Sequence, residues 1–179
     1  MVKIPKHNNL PLAGLGVRAL REAERDDVVY GASKRCVLFI HGGVRYMAKA
    51  CLSVHSDTVL MEIGMQLSGE IPLAWIQPYV AWTVPSVPVP QCRRGTIVAV
   101  QRALLTEEAA LAQAEAPWDE KHCPIGDTDG EVNPNVGVDN HGMLKCYDWE
   151  GDSRYYNVQK DCGTYITLTP TDDPRNNFT

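Results

Sequence analysis

Residues 35 to 67 constrain the fold most strongly, because their apolar side chains alternate in a register that fits antiparallel β-strands. The glycine pair Gly42-Gly43 supplies the positive φ that a tight hairpin turn needs. This turn places Phe39 opposite Tyr46 and sends the neighbouring apolar residues of both strands to one face. The stretch therefore predicts a β-hairpin with one buried face.

A second turn at Ser56-Asp57 would extend the hairpin into a third strand. It places Val54 opposite Val59, and the apolar residues as far as position 65 then fall on the same buried face. Register is a demanding test, because a slip of one residue moves every side chain of a strand to the other face. The sequence thus predicts a three-stranded β-meander.

The second face of this meander carries more apolar side chains than a solvated face needs. Its polar residues are Arg45, Lys49, Ser53 and His55. Its apolar residues are Cys36, Leu38, Ile40, Met47, Cys51 and Leu60. We expect this face to be covered as well, either by the rest of the chain or by another subunit.

Residues 71 to 91 contain five prolines and three aromatic residues. Because proline lacks a backbone N–H, this segment predicts an extended crossing rather than a central strand or a helix. Its aromatic rings need cover, either over the sheet of the same chain or as anchors for a partner. The interface candidates of the whole chain are Leu38, Ile40, Met47, Trp75, Tyr79 and Trp82.

The remaining segments predict two helices among strands and loops. Apolar residues recur at helical spacing from Pro11 to about Arg25. Thr106 is a typical N-cap for a short helix over residues 107 to 116, with one longer helix from Ile97 as the alternative. Strands are predicted at 28–30, 96–100 and 164–169, a long loop at 118–142 and a hairpin turn at 150–153.

Together these patterns predict a mainly β fold, an antiparallel β-sandwich or barrel with one N-terminal helix and one short helix. We expect one β-rich domain over residues 1–179, with an N-terminal arm at 1–10 and a polar C-terminal tail at 171–179. A net charge of −5 gives no reason to expect nucleic acid or an anionic membrane as a partner. The basic N-terminus lacks the unbroken apolar core of a signal peptide.

Six cysteines are dispersed through the chain without a C-x-x-C pair. They are Cys36, Cys51, Cys92, Cys123, Cys146 and Cys162. Reduced, buried thiols are one interpretation, and disulfides formed after release from the cell are the other. Cys36 and Cys51 share a face of the predicted hairpin as diagonal neighbours, so they are the best candidate pair.

The segment that ends in His41-Gly42-Gly43 resembles the strand and turn that precede the oxyanion hole of lipase and esterase α/β-hydrolases. That resemblance covers seven residues. The α/β-hydrolase fold also implies a G-x-S-x-G nucleophile elbow, and the chain contains no such pentapeptide. A glycine hairpin turn explains the same residues without catalysis.

The long loop offers two candidate metal sites. His122, Cys123, His141 and Cys146 are the ligand types of tetrahedral zinc, although adjacent residues such as His122 and Cys123 seldom converge on one ion. Residues 127–131 place three carboxylates close together, as a calcium site would, but without the spacing of an EF-hand. Exposed histidines and a solvated acidic turn are the favoured interpretation, so we expect no metal and no cofactor.

The sequence favours a structural role over catalysis. Extended arms, a proline-rich aromatic segment, an apolar second sheet face and the lack of an active-site motif are typical of an assembly subunit. We expect a tailed-bacteriophage virion component, such as a capsid cement, neck or tail protein, made in the host cytoplasm and joined to other subunits as a homo- or hetero-oligomer. The alternatives are a small hydrolase with a loop-borne site near residues 122–146 and a disulfide-stabilised extracellular binding module.

Overall fold

The structure is a computed structural model that describes residues 1–30, 33–54, 57–118, 135–149, 155–160 and 163–170. These ranges contain three α-helices, Leu10–Glu22 (α1), Thr58–Ser68 (α2) and Glu108–Gln113 (α3). The strands are Val2–Pro5 (β1), His7–Asn8 (β2), Val28–Tyr30 (β3), Lys34–His41 (β4), Val44–Cys51 (β5), Tyr79–Thr83 (β6), Val98–Arg102 (β7), Val136–Val138 (β8), Leu144–Cys146 (β9), Tyr155–Lys160 (β10) and Tyr165–Pro170 (β11). None of the described helices is both long enough and apolar enough to cross a membrane.

The strands form three antiparallel sheets. A six-stranded sheet has the order β2-β6-β7-β5-β4-β3, a three-stranded sheet has the order β1-β11-β10, and β8 pairs with β9. Within the described ranges, strands account for 37% and helices for 26%, and no sheet closes into a barrel. The prediction of a mainly β, sandwich-like fold is confirmed.

The predicted hairpin is confirmed as β4 and β5. Gly42 and Gly43 form its turn with φ values of 59° and 75°, which a residue with a Cβ rarely adopts. Phe39 pairs with Tyr46 in the predicted register. Strand β7, next to β5 in the sheet, confirms the strand that was predicted at residues 96–100. The alternative of one long helix from Ile97 is therefore wrong.

The predicted third strand is wrong, because residues 58–68 form α2. The side chain of Asp57 caps this helix by accepting the backbone N–H of Leu60 at 3.2 Å. Gly69 ends it in the left-handed conformation with φ 76°. Seven consecutive residues of α2 are buried, so no side of that stretch is solvated, although the polar residues Thr58, Glu62 and Gln66 follow one side of the helix.

Helix α1 covers one face of the six-stranded sheet, close to the predicted position. Its close approach depends on Gly16, because a Cβ there would lie 2.5 Å from Cγ2 of Val100. The core between helix and sheet consists of Leu12, Ala13, Val17, Leu20, Val37, Ala48, Ala50, Ala81, Val89, Val98 and Val100.

Helix α2 covers part of the opposite face, and the three-stranded sheet packs on α2. The first ten residues therefore do not form the predicted arm, since they supply β1 and β2. Ile4 of β1 is fully buried with Ile63 of α2 and Leu168 of β11. The indole Nε1 of Trp82 donates to the carbonyl of Pro5 at 2.8 Å, which ties the N-terminal segment to the larger sheet.

The proline-rich segment does contain a strand, contrary to prediction. Strand β6 lies between Pro78 and Pro85 and pairs with both β2 and β7. The prolines stand outside the paired residues, so none removes a hydrogen bond from the ladder. A proline restricts only its own position and the residue before it, so a five-residue strand fits between Pro78 and Pro85.

The last third of the chain follows the prediction in part. Helix α3 lies inside the predicted range 107–116, but its N-cap is Glu107 rather than Thr106. Strand β11 matches the predicted strand. The strands before and after residues 150–153 do not pair with each other as the predicted hairpin requires. Strand β9 pairs with β8, and β10 pairs with β11. The turn itself and the tail at 171–179 lie outside the described residues.

Candidate functional site

A cavity of about 550 Å³ opens on the second face of the β4–β5 hairpin, beyond the part that α2 covers. The end of β7, the segment that leads to α3 and residues 147–148 form its other walls. Its charged lining residues are Lys34, Arg45, Lys49, Arg102, Glu107 and Asp148. Its apolar lining residues include Val29, Leu38, Met47 and Leu104. The site therefore combines an apolar wall with several cations.

The alternation of the hairpin explains why these side chains meet. Cys36 pairs with Lys49, and Leu38 pairs with Met47, so all four point to the same face. Along β4 this face changes from buried at Lys34 to exposed at Leu38. The cavity lies at this transition, where cover from the same chain ends.

A buried carboxylate lies below the cavity. Glu62 of α2 is fully buried, and its Oε1 lies 3.0 Å from Nζ of Lys34. The hydroxyl of Tyr79 donates to the same oxygen at 3.0 Å, and the backbone N–H of Trp149 donates to Oε2 at 2.9 Å. This network joins α2 to β4, β6 and the segment after β9.

The two lysines of the cavity wall have different partners. Lys34 forms ion pairs with both Glu62 and Asp148. Lys49 donates to the backbone carbonyl of Tyr147, and its Nζ lies 5.3 Å from the centre of that tyrosine ring. Within the described part of the chain, Lys49 forms no salt bridge with a carboxylate.

Burial changes the acidity of these groups. Desolvation raises the pKa of Glu62, although Lys34 and Lys49 oppose the rise. Desolvation lowers the pKa of Lys49, against the opposing field of Glu62. The pKa of Tyr79 lies well above its usual range, because its ring is buried beside the same carboxylate. Lys49 is thus the cation of this cluster that loses its proton more readily than an exposed lysine.

The interface candidates do not form one surface. Tyr79 and Trp82 are 2% and 3% exposed, so they pack in the core of their own chain and are not partner anchors. Trp75 is half-buried, and its Nε1 donates to the carbonyl of Pro117 at 3.2 Å. The other three candidates lie on the hairpin, with Met47 half-buried, Leu38 44% exposed and Ile40 72% exposed.

Among the described residues, the candidate pair Cys36 and Cys51 does not form a disulfide. Cys36, Cys51, Cys92 and Cys146 are thiols, and Cys123 and Cys162 lie outside the described residues. Cys51 instead accepts the backbone N–H of Thr58 at 3.1 Å, at the start of α2. Desolvation raises the pKa of Cys51 to about 12 and that of Cys92 to about 11, so neither thiol is activated for chemistry.

The candidate metal residues lie mostly outside the described ranges. This applies to His122, to Cys123 and to the acidic turn at 127–131. Of the other two zinc candidates, His141 is exposed whereas Cys146 is fully buried in the core. The described residues contain no group of three or more His, Cys, Asp or Glu side chains that could hold an ion. His41 is exposed beside the hairpin turn.

Comparison with known proteins gives one partial similarity. No family model matches the chain. Mitochondrial glycerol-3-phosphate dehydrogenases of Macaca fascicularis, Homo sapiens and Bos taurus are each 35% identical to it over 82 residues. Each match covers 38% of this chain and 11% of the dehydrogenase, so the chain spans about a tenth of the length of these relatives.

Proposed function

We propose that this chain binds a small organic anion in the cavity beside the β4–β5 hairpin. The observation that carries the proposal is the joint placement of Arg45 and Lys49 on the cavity face of β5, with Met47 between them. An apolar wall with a few convergent polar groups is the usual composition of a small-molecule site. Such a surface suits a ligand with a short apolar body and an anionic end.

The charges of the cavity favour an anion over a cation. Lys34, Arg45, Lys49 and Arg102 outnumber the acids Glu107 and Asp148 in the lining, although the whole chain carries a net charge of −5. Lys34 already pairs with Glu62 and Asp148, which makes Arg45 the principal anchor for a ligand. Its guanidinium is exposed and has the planar geometry that binds phosphate or carboxylate through two hydrogen bonds.

The partial similarity supports a phosphate-bearing ligand. The name of these relatives specifies glycerol 3-phosphate as the molecule on which those proteins act. Because this chain covers only 11% of them, we propose binding of that class of anion and not dehydrogenase activity.

Titration calorimetry with glycerol 3-phosphate and with inorganic phosphate tests this proposal. We expect saturable binding by the wild-type protein and an affinity at least about 10-fold weaker in Arg45→Gln, because a charge-assisted hydrogen bond contributes about 1.5–3 kcal/mol. Arg18→Gln is the matched control, since Arg18 is an exposed residue of α1 paired with Glu22. Absence of saturable binding of both anions to the wild-type protein would overturn the proposal.

A second candidate function is that of a non-enzymatic subunit in a larger assembly, with a tailed-bacteriophage virion as the specific proposal. The apolar tip of the hairpin supports it, because Leu38 and Ile40 are exposed there. Strand β3 pairs with β4 only as far as Val37. Among the described residues, no strand continues along this outer edge, so its N–H and C=O groups can accept a strand of another subunit.

Light scattering after size exclusion tests the assembly proposal. We expect the wild-type protein to form oligomers that Ile40→Lys dissociates, since a lysine on an edge strand prevents strand pairing. Leu73→Lys should leave the oligomer unchanged, because Leu73 is a comparably exposed apolar residue outside the hairpin. A wild-type protein that stays monomeric at high concentration would contradict self-assembly.

A further inference from the structure

We propose that Lys49 is a reactive amine that forms an imine with an aldehyde or ketone bound in the cavity. This inference rests on the proposed function, because it assigns a chemical class, carbonyl-bearing organic anions, to the same site. A lysine becomes nucleophilic when an apolar pocket favours its neutral form.

The surroundings of Lys49 favour that neutral form. The side chain lines the cavity, yet the residue is only 3% exposed. Its amine donates to the carbonyl of Tyr147 and lies near two aromatic rings, and these contacts hold it in place. They also stabilise the ammonium form, so burial is what favours the neutral amine. Lys34, in contrast, forms ion pairs with two carboxylates. The same cavity wall therefore contains one cation with a structural role and one amine available for chemistry.

Several elements around Lys49 contribute titratable groups, whereas β7, which pairs with β5 at Lys49, places Ala99 there. The titratable groups are Lys34 and Cys36 from β4, Glu62 from α2, Tyr79 from β6, and Tyr147 and Asp148 from the segment after β9. Glu62, Cys36 and Asp148 raise the pKa of Lys49, whereas burial and Lys34 lower it, and burial is the largest effect. The lysine thus has a larger neutral fraction than a solvated lysine at the same pH.

The distance between Lys49 and Arg45 suits a molecule with two different ends. Both residues lie on the same face of β5, four positions apart, which corresponds to roughly 13 Å of strand. Their long side chains can both turn toward a ligand that lies along Met47. An anion at Arg45 would then place a carbonyl carbon within reach of the Lys49 amine.

The chemistry requires only the amine and the carbonyl compound. The neutral nitrogen adds to the carbonyl carbon and forms a carbinolamine. The carbinolamine hydroxyl takes one proton from the medium and leaves as water, and the nitrogen then returns its proton to the medium, so a C=N double bond remains. Borohydride, added as an external reductant, transfers hydride to that carbon and gives a stable secondary amine.

Reductive trapping on the folded protein tests the inference. The probes are pyridoxal 5′-phosphate, which is an anionic aldehyde, and butyraldehyde, which is neutral. Each is incubated with the protein near pH 7 and then treated with borohydride, and the adduct is located by peptide mass mapping. We expect an adduct at Lys49 to form faster than one at Lys3, which is exposed on β1 and serves as the internal standard.

Variants separate reactivity from folding. Lys49→Arg and Lys49→Met should both lose the fast adduct, and circular dichroism shows which of them is folded. Lys3→Arg should retain it. Absence of a Lys49 adduct with both aldehydes, or its formation only after denaturation, would overturn the inference, whereas anion binding measured by calorimetry would be unaffected. A Lys49 adduct with butyraldehyde that forms faster than with pyridoxal 5′-phosphate would support the reactive amine and contradict the anion site.

Discussion

At the residue scale, Glu62 and Lys49 show what a single sequence does not reveal. Periodicity placed Lys49 on the second sheet face, which we expected to be covered, but it did not show that the segment containing Tyr147 provides the cover. The hydrogen-bond partner of Lys49, Tyr147, is 98 positions away. A contact at that separation leaves no local pattern. The available signal was Glu62, since an acid in the middle of an apolar helix must find buried partners.

Removal of the Glu62 charge should destabilise the protein strongly. Glu62→Gln preserves the shape of the side chain but no longer neutralises Lys34, and loss of one partner of a buried ion pair costs about 3–5 kcal/mol. We expect the lower end of that range, because Asp148 still pairs with Lys34. Urea denaturation measures the free energy of unfolding.

Glu22→Gln is the matched control for Glu62→Gln. Glu22 pairs with Arg18 on the exposed surface of α1, where an ion pair contributes at most about 0.5 kcal/mol. Equal losses in the two variants would contradict the structural role of the buried carboxylate.

At the element scale, local signals predicted some segments correctly but gave a strand where the structure has the helix α2. The β4–β5 hairpin followed from its glycine turn and α1 from its helical spacing, because each signal is local. Residues 58–68 are mostly apolar, and the alternation of Val59, Met61, Ile63 and Met65 fitted a strand, although the spacing of Glu62 and Gln66 fitted a helix. The cap residues Asp57 and Gly69 distinguished the two, and they were the missed signal.

Two glycines of α1 should respond oppositely to the same substitution. Gly14 has no atom within 4 Å of a Cβ position, so Gly14→Ala should stabilise the protein by up to about 1 kcal/mol through helix propensity. Gly16→Ala should destabilise it by about 1–3 kcal/mol, because its Cβ would overlap Val100. Thermal unfolding of both variants tests the pair, and stabilisation by both would contradict the close packing of α1 on the sheet.

At the scale of the whole molecule, α2 joins the two larger sheets. One apolar cluster contains Ile4, Ile166 and Leu168 of the three-stranded sheet, Ile63 of α2 and Trp82 of the six-stranded sheet. The sequence indicated that the second sheet face needs cover, but it could not show that segments from both halves of the chain provide it. The mainly β class was predictable because it depends on local strand signals, whereas the layer order depends on pairings between distant residues such as β1 and β11.

The shared cluster predicts that both sheets unfold in one transition, as the expected single domain requires. Ile4→Ala removes fully buried methyl groups between α2 and the three-stranded sheet, so it should lower the free energy of unfolding by about 2–5 kcal/mol. Lys3→Ala is the control on the same strand, where an exposed side chain should change stability by less than about 0.5 kcal/mol. Far-UV circular dichroism reports all three sheets, and fluorescence reports the tryptophans, including Trp82 and Trp149 in the shared cluster. Coincident transitions that shift together in Ile4→Ala would agree with one cooperative unit. A separate, earlier transition of the three-stranded sheet would instead show that it is only loosely coupled to the six-stranded sheet.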